Sequence, residues 1–195
     1  MKLTIASIQK LREMTGAGIM DCRKALLKAG GNLEAAEKVL RKKGQNVARA
    51  KQNRIASEGI IGCYVHNNGR VASLVKLYCE TDFVARNKEF QELAHLLAMQ
   101  VLAAGALYVH PKDVPADKIQ EEKEIILEQL KKEKKPRQIW EKITEGKLKK
   151  YREEISLMSQ PFFQNPDITI KELVQEKILK LGEKMEVGEF VKFEI

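Results

Sequence analysis

The spacing of apolar residues changes once along this chain, at Gly59, and that change limits the possible architectures more than any other feature. Before it, Ile5, Ile8 and Leu11, then Ile19, Cys22 and Leu26, then Leu33, Ala36 and Leu40 recur at the spacing of helix faces. Gly16 and Gly18 separate the first two stripes, and Gly30-Gly31 makes the next turn. Asn32 suits an N-cap, and Gly44 follows the last stripe. Three helices in about 45 residues form a module with little core, only marginally stable alone. Residues 45–57 are polar and basic, which suits a helical or extended linker. After Gly59, Ile60 to Val65 and Val71 to Cys79 are rich in β-branched and aromatic residues. His66-Asn67-Asn68-Gly69 between them carries the Asn-Gly signal of a β-hairpin. Both strands are apolar on both faces in places, which predicts a hairpin buried under helices.

The second strand stops at Thr81-Asp82-Phe83-Val84, a carboxylate and a large ring side by side. A helix follows, capped by Asn87 and carrying Phe90, Leu93, Leu97, Val101 and Ala104. An Asp at such a turn satisfies free backbone N–H groups, and a Phe fits core as well as surface. These residues alone leave a structural and a functional reading open. Further on, Pro115 and Pro136 suit the first turns of helices over 116–134 and 137–151. Their thin stripes, Ile119, Ile126 and Leu130, then Ile139 and Ile143, predict an exposed helical hairpin over residues 111–150. Thr169-Ile170-Lys171-Glu172 is a capping box for a helix ended by Gly182. The segment 184–195 closes on Phe190 to Ile195, a strand able to complete a three-stranded sheet. The expected fold class is α+β. A three-helix module with a basic linker spans residues 1–54. A core over 55–195 holds a small three-stranded antiparallel sheet, packed by helices, with the projecting hairpin.

Hydrophobic content of 44% and charged content of 32% describe a soluble globular chain. No apolar run approaches the roughly 20 residues that span a bilayer. Met1-Lys2-Leu3-Thr4 lacks the features of a signal peptide. The three cysteines, Cys22, Cys63 and Cys79, are odd in number and unpaired in spacing, which argues against a disulfide framework. A cytoplasmic protein is expected. Residues 1–54 hold 13 Lys and Arg against 4 Asp and Glu, so all of the excess positive charge lies there. Arg41, Lys42, Lys43, Arg49, Lys51 and Arg54 form an acid-free basic block. Such a block either steers the protein to a nucleic acid or an acidic surface, or is a solvated helix face.

Enzyme chemistry finds little support. Gly16-Ala17-Gly18 follows a helix instead of a strand, and the third glycine of a dinucleotide fingerprint is replaced by Asp21. Gly146-Lys147 is followed by Leu148, which cannot ligate magnesium, so neither pattern makes a nucleotide site. Cys63 and His66 have no second pair at metal-ligand spacing. Cys79 with His66 or His95 could be a thiol–base pair, but a buried core thiol is the simpler reading. No cofactor, catalytic residue or metal is expected.

Leu11 to Leu26 and Thr81-Asp82-Phe83-Val84 resemble the two signatures of the elongation factor Ts family. Tyr64 to Val71 resembles its hairpin motif. Gly146 to Tyr151 and Gln160-Pro161-Phe162-Phe163 look like its later motifs, in the family's order. The resemblance implies a guanine-nucleotide exchange factor for elongation factor Tu. In that family the first module resembles a ubiquitin-associated domain and packs on the partner's GTP-binding domain. The Asp-Phe corner disturbs the magnesium and phosphate-loop site, so that GDP leaves and GTP enters. Carried over, the corner is Thr81, Asp82, Phe83 and Val84, with other contacts at Arg12, Ile19, Met20 and His66. The chain resembles the family's short form, which implies a homodimer. With no cysteine beyond Cys79, a dimer along the last strand is not disulfide-tied. The competing reading is a small basic RNA-binding protein, although residues 1–54 contain no aromatic side chain for bases to stack on.

Overall fold

A computed structural model describes residues 4–133 and 136–195. Residues 1–3 of the expected module and 134–135 of the expected hairpin lie outside the described residues. Helix α1 (Ile5–Thr15) opens on a Thr4–Ser7 capping box and ends at Gly16, whose φ of 64° is the left-handed stop a glycine adopts freely. Helices α2 (Ile19–Lys28) and α3 (Leu33–Lys51) follow, the latter capped by the Asn32 side chain accepting from the Ala35 N–H at 3.0 Å. Leu11, Cys22, Ala25, Leu26, Ala36 and Leu40 close a small apolar cluster among the three. Ile5 and Ile19, read as members of the helical stripes, are instead 78% and 53% exposed. Each is the first residue of its helix, where the stripe has no neighbouring turn to pack beside.

Gly44 does not end α3, which runs on to Lys51. The glycine is buried against a later helix, α8 (Ile170–Leu181), and a Cβ there would lie 3.3 Å from the Gln175 carbonyl oxygen. Close helix approach explains a residue that costs about 1 kcal/mol relative to Ala in a helix interior. Beyond it, Val47 and Ala48 pack onto the second, larger core, so α3 serves both apolar clusters. The non-helical linker is correspondingly short.

Strands β1 (Glu58–Val65) and β2 (Val71–Cys79) pair antiparallel from Glu58↔Cys79 to Val65↔Ala72. The hairpin closes through a turn longer than two residues. The His66 N–H donates to the Val71 carbonyl at 2.8 Å, and the Gly69 N–H donates to the His66 carbonyl at 2.7 Å with Gly69 at φ 68°. A single turn, α4 (Asp82–Ala85), precedes α5 (Lys88–Ala103), which Asn87 caps. The helical arm is α6 (Ala116–Lys132) packed on α7 (Trp140–Glu154), with Pro136 ahead of a 3-10 turn, Arg137–Ile139, and not in the α-helix itself. A short pair, β3 (Pro161–Phe162) and β4 (Asn165–Thr169), leads into α8 (Ile170–Leu181), opened by the expected Thr169–Glu172 box and ended by Gly182 at φ 78°. Strand β5 (Met185–Glu194) then completes the antiparallel sheet in the order β1-β2-β5.

One face of that sheet carries α5. A Cβ at Gly62 would lie 2.2 Å from the Ala94 carbonyl oxygen, and the Ser73 hydroxyl donates to the Ala98 carbonyl at 2.6 Å. Val75, Leu77, Phe90, Leu93, Leu97, Val101, Ile170, Val174, Met185 and Val187 form the core there. Among the described residues nothing covers the opposite face, contrary to the expectation of a hairpin buried under helices. Ile61, Val65, Leu74, Val191 and Phe193 are all exposed on it, and strand alternation puts the exposed Cys63 among them. The apolar residues on both faces therefore mark one core face and one unpartnered face.

Candidate partner-binding site

The corner between β2 and α5 divides its residues cleanly. Thr81 is extended (φ −131°, ψ 155°), and its hydroxyl caps α4 by accepting from the Val84 N–H at 3.4 Å. Ala85 is buried, and Val84 packs on the main core. Between these anchors Phe83 is 81% exposed, and the Asp82 carboxylate sits outside the core, paired with Arg86 at 3.0 Å. A four-residue helix has no stability of its own, so its direction is set by what holds its ends.

Those holds come from distant sequence. The Glu183 carboxylate accepts from the Glu80 N–H at 3.1 Å, the Thr81 N–H at 3.0 Å and the Thr81 hydroxyl at 2.7 Å. In return the Lys184 N–H donates to the Glu80 carboxylate, which also pairs with Arg54 at 3.1 Å. The Lys184 N–H, aided by Arg54 and opposed by partial burial, holds the Glu80 carboxyl below its ordinary pKa. Sequence reading missed both Glu80 and Glu183. The only signal is an acid directly after a helix-ending glycine, which by itself means nothing.

The other expected contact residues lie elsewhere. Arg12 in the last turn of α1 and Ile19 and Met20 in the first turn of α2 are all exposed around the Gly16–Gly18 break. Leu27, 59% exposed, shares the α2 face of Met20 seven residues on and was not anticipated. His66 is exposed at the hairpin tip, its Nδ1 3.2 Å from the Tyr64 hydroxyl. Eight residues of strand, about 25 Å at 3.3 Å per residue, separate that tip from the Asp-Phe corner, so the structure does not bring them together. Cys79 is buried, donates to the Thr81 carbonyl at 3.2 Å, and has its thiol pushed up to about 11 by burial. A thiol so placed is a poor nucleophile. Among the described residues no cluster of three His, Cys, Asp or Glu side chains could hold a metal ion.

Residues 20–195 match the family model described as Elongation factor TS. Elongation factor Ts of Thermotoga petrophila is 51% identical over 195 residues, covering 100% of this chain and 97% of that protein. That of Carboxydothermus hydrogenoformans is 47% identical over 193 residues, 99% of this chain and 89% of its own length. The chain belongs to the elongation factor Ts family. Membership makes it a translation elongation factor, part of protein biosynthesis.

Within an elongation factor Ts chain the basic block acquires a structural account. Arg41 pairs with Glu37 at 3.1 Å, Lys43 with Asp21, and Arg54 with Glu80 at 3.1 Å, while the Lys51 ammonium donates to the Gly182 carbonyl at 2.6 Å. Lys43 and Lys51 thus tie α3 to α2 and to the end of α8, Arg54 ties the segment after α3 to Glu80, and Arg41 pairs within α3 itself. No described helix is long and apolar enough to cross a membrane.

Proposed function

We propose that this elongation factor binds elongation factor Tu carrying GDP and speeds release of the nucleotide, acting in the cytoplasm and holding no cofactor or metal of its own. Thr81 and Val84 fix the corner, Phe83 enters a pocket of the partner, and Asp82 brings negative charge toward the magnesium and phosphate loop. The observation that carries this reading is Phe83, 81% exposed on a turn anchored on both sides. Burying such a ring yields about 2–3 kcal/mol. A thousandfold faster release needs about 4 kcal/mol of barrier lowering, so the ring supplies much of it and displacement of the ion the rest. By linkage, a factor that favours the empty partner loses affinity when nucleotide returns, which lets GTP finish the cycle. Residues 1–54 act as a docking module through Arg12, Ile19 and Met20, and His66 makes a separate contact at the hairpin tip.

The open sheet face supports a further element, a non-covalent homodimer in which two such faces cover each other. Ile61, Leu74, Val191 and Phe193 lie on that face, and β5 is an edge strand. The decisive experiment mixes the protein with elongation factor Tu loaded with fluorescent GDP and times release by stopped flow. Acceleration that saturates with concentration is expected. Release at the spontaneous rate overturns the proposal.

A further inference from the structure

We infer that Glu183 is a positioning residue for nucleotide exchange: its carboxylate fixes the backbone at Glu80 and Thr81 and so decides where Phe83 points. The inference rests on the exchange function proposed above and goes beyond it, because Glu183 lies outside the corner motif by about a hundred residues of chain. It stands on the connection between α8 and β5, directly after Gly182. One oxygen receives two consecutive backbone N–H groups at 3.1 and 3.0 Å, and the other receives the Thr81 hydroxyl at 2.7 Å. Thr81 Oγ1 in turn accepts from the Val84 N–H at 3.4 Å. The carboxylate is therefore joined to the first turn of α4 through a single hydroxyl, and Phe83 sits inside that turn.

Three features make this a positioning role and not general ballast. The bonds are charge-assisted, the stronger class, and they converge on one anion that only a carboxylate supplies with both oxygens as acceptors. The grip is reciprocal: Glu80 holds the Lys184 N–H while Arg54 holds Glu80, so the two connections are locked side by side. Phe83 itself, 81% exposed, has almost nothing of its own protein to rest on. Its direction in the free protein is inherited from the backbone of residues 80–82. Loosening that backbone spreads the ring over many directions, and the partner must then restore order at its own expense in binding energy.

The test compares Glu183→Gln, nearly isosteric but with one acceptor oxygen fewer, with Phe83→Ala and the double variant. The maximal rate of fluorescent GDP release from elongation factor Tu and the melting temperature are measured for each. Glu183→Gln is expected to slow maximal release about fivefold with the melting temperature within about 3 °C of the parent. In the Phe83→Ala background the same change adds less than about twofold, since the ring it positions is gone. Amide exchange at Glu80 and Thr81 speeds up, while the amides of Leu93 and Leu97 stay protected. A parental release rate for Glu183→Gln overturns the inference, as does full multiplication of the two effects in the double variant. A melting temperature falling by more than about 10 °C also overturns it, because the carboxylate then serves the whole fold. Failure of the exchange reading looks different: Phe83→Ala itself releases GDP at the parental rate.

Discussion

On the side of the sheet turned toward α5, Gly62 lies under the Ala94 carbonyl and the Ser73 hydroxyl donates to Ala98. On the other side Ile61, Leu74, Val191 and Phe193 stand exposed. The strands supply apolar side chains to both. Gly62 and Ser73 occur where a helix backbone must approach closely, among bulkier core residues such as Val75 and Leu77, while the open face carries bulk at Ile61, Leu74, Val191 and Phe193 beside the small Ala72. Close helix approach requires small residues at the crossing point, a restriction that an uncovered face does not carry.

The comparison breaks first at Gly62. Gly62→Val forces a side chain into the Ala94 carbonyl and is expected to destabilise by at least about 3 kcal/mol, read by thermal melting. Ile61→Thr, one residue away and facing out, changes monomer stability by less than about 0.5 kcal/mol. Equal losses at both positions would erase the distinction between the faces.

The next expectation concerns the open face as an interface. Phe193→Asp places a charge in the proposed dimer contact and is expected to weaken it about thirtyfold, or about 2 kcal/mol. Light scattering then reports a mass near 22 kDa where the parent gives twice that. Cys63, exposed on the same face, offers an independent reading: alkylation slows in the dimer and recovers in Phe193→Asp. A parent that stays near 22 kDa at micromolar concentration removes the dimer. Deleting residues 190–195 is a poorer probe, since Phe190 packs on the core and Val191 to Glu194 pair with β2.

A smaller effect separates an interface made of area from one made of a point. Phe83→Ala is expected to slow catalysed GDP release tenfold, about 1.4 kcal/mol, with melting unchanged because the ring is 81% exposed. Unfolding of this variant would make Phe83 part of the core after all.

The smallest change tests burial of charge between α3 and α8. Burial raises the Glu176 pKa, with Glu37 and Glu172 adding to the rise and Arg41 and Lys177 opposing it. As pH climbs past the ordinary carboxyl value of 4.5, the unfolded chain ionises before the folded one, so this group's contribution to stability is lost. Glu176→Gln should therefore raise the melting temperature by about 1–3 °C at pH 7 and leave it unchanged at pH 4. A lower melting temperature at pH 7 would show that the ionised carboxylate is needed by Arg41.

Much of the fold was legible because its signals are local. Asn32, Asn87 and the Thr169–Glu172 box each announce a helix start within four residues, and each caps the helix expected of it. Gly44 misled because its reason is the Gln175 carbonyl, 131 residues away, and a glycine needed for close approach looks like a glycine that stops a helix. The open sheet face misled for a related cause, since alternation reveals two apolar faces but not how many are covered. The exposed Phe83 was nameable from its motif. The carboxylate that holds its turn was not, because neither periodicity nor spacing links residue 183 to residue 81.

Helix α3 runs without a break through 19 residues, about 28 Å, from the small apolar cluster to the large one. No hinge divides the two clusters along it. On the proposed function, a partner touching residues 1–54 finds the Asp-Phe corner at a preset distance, and the second contact forms like the closing of a calliper whose jaws are already spaced. The effective concentration of the corner at its target is then a property of helix geometry, not of linker length.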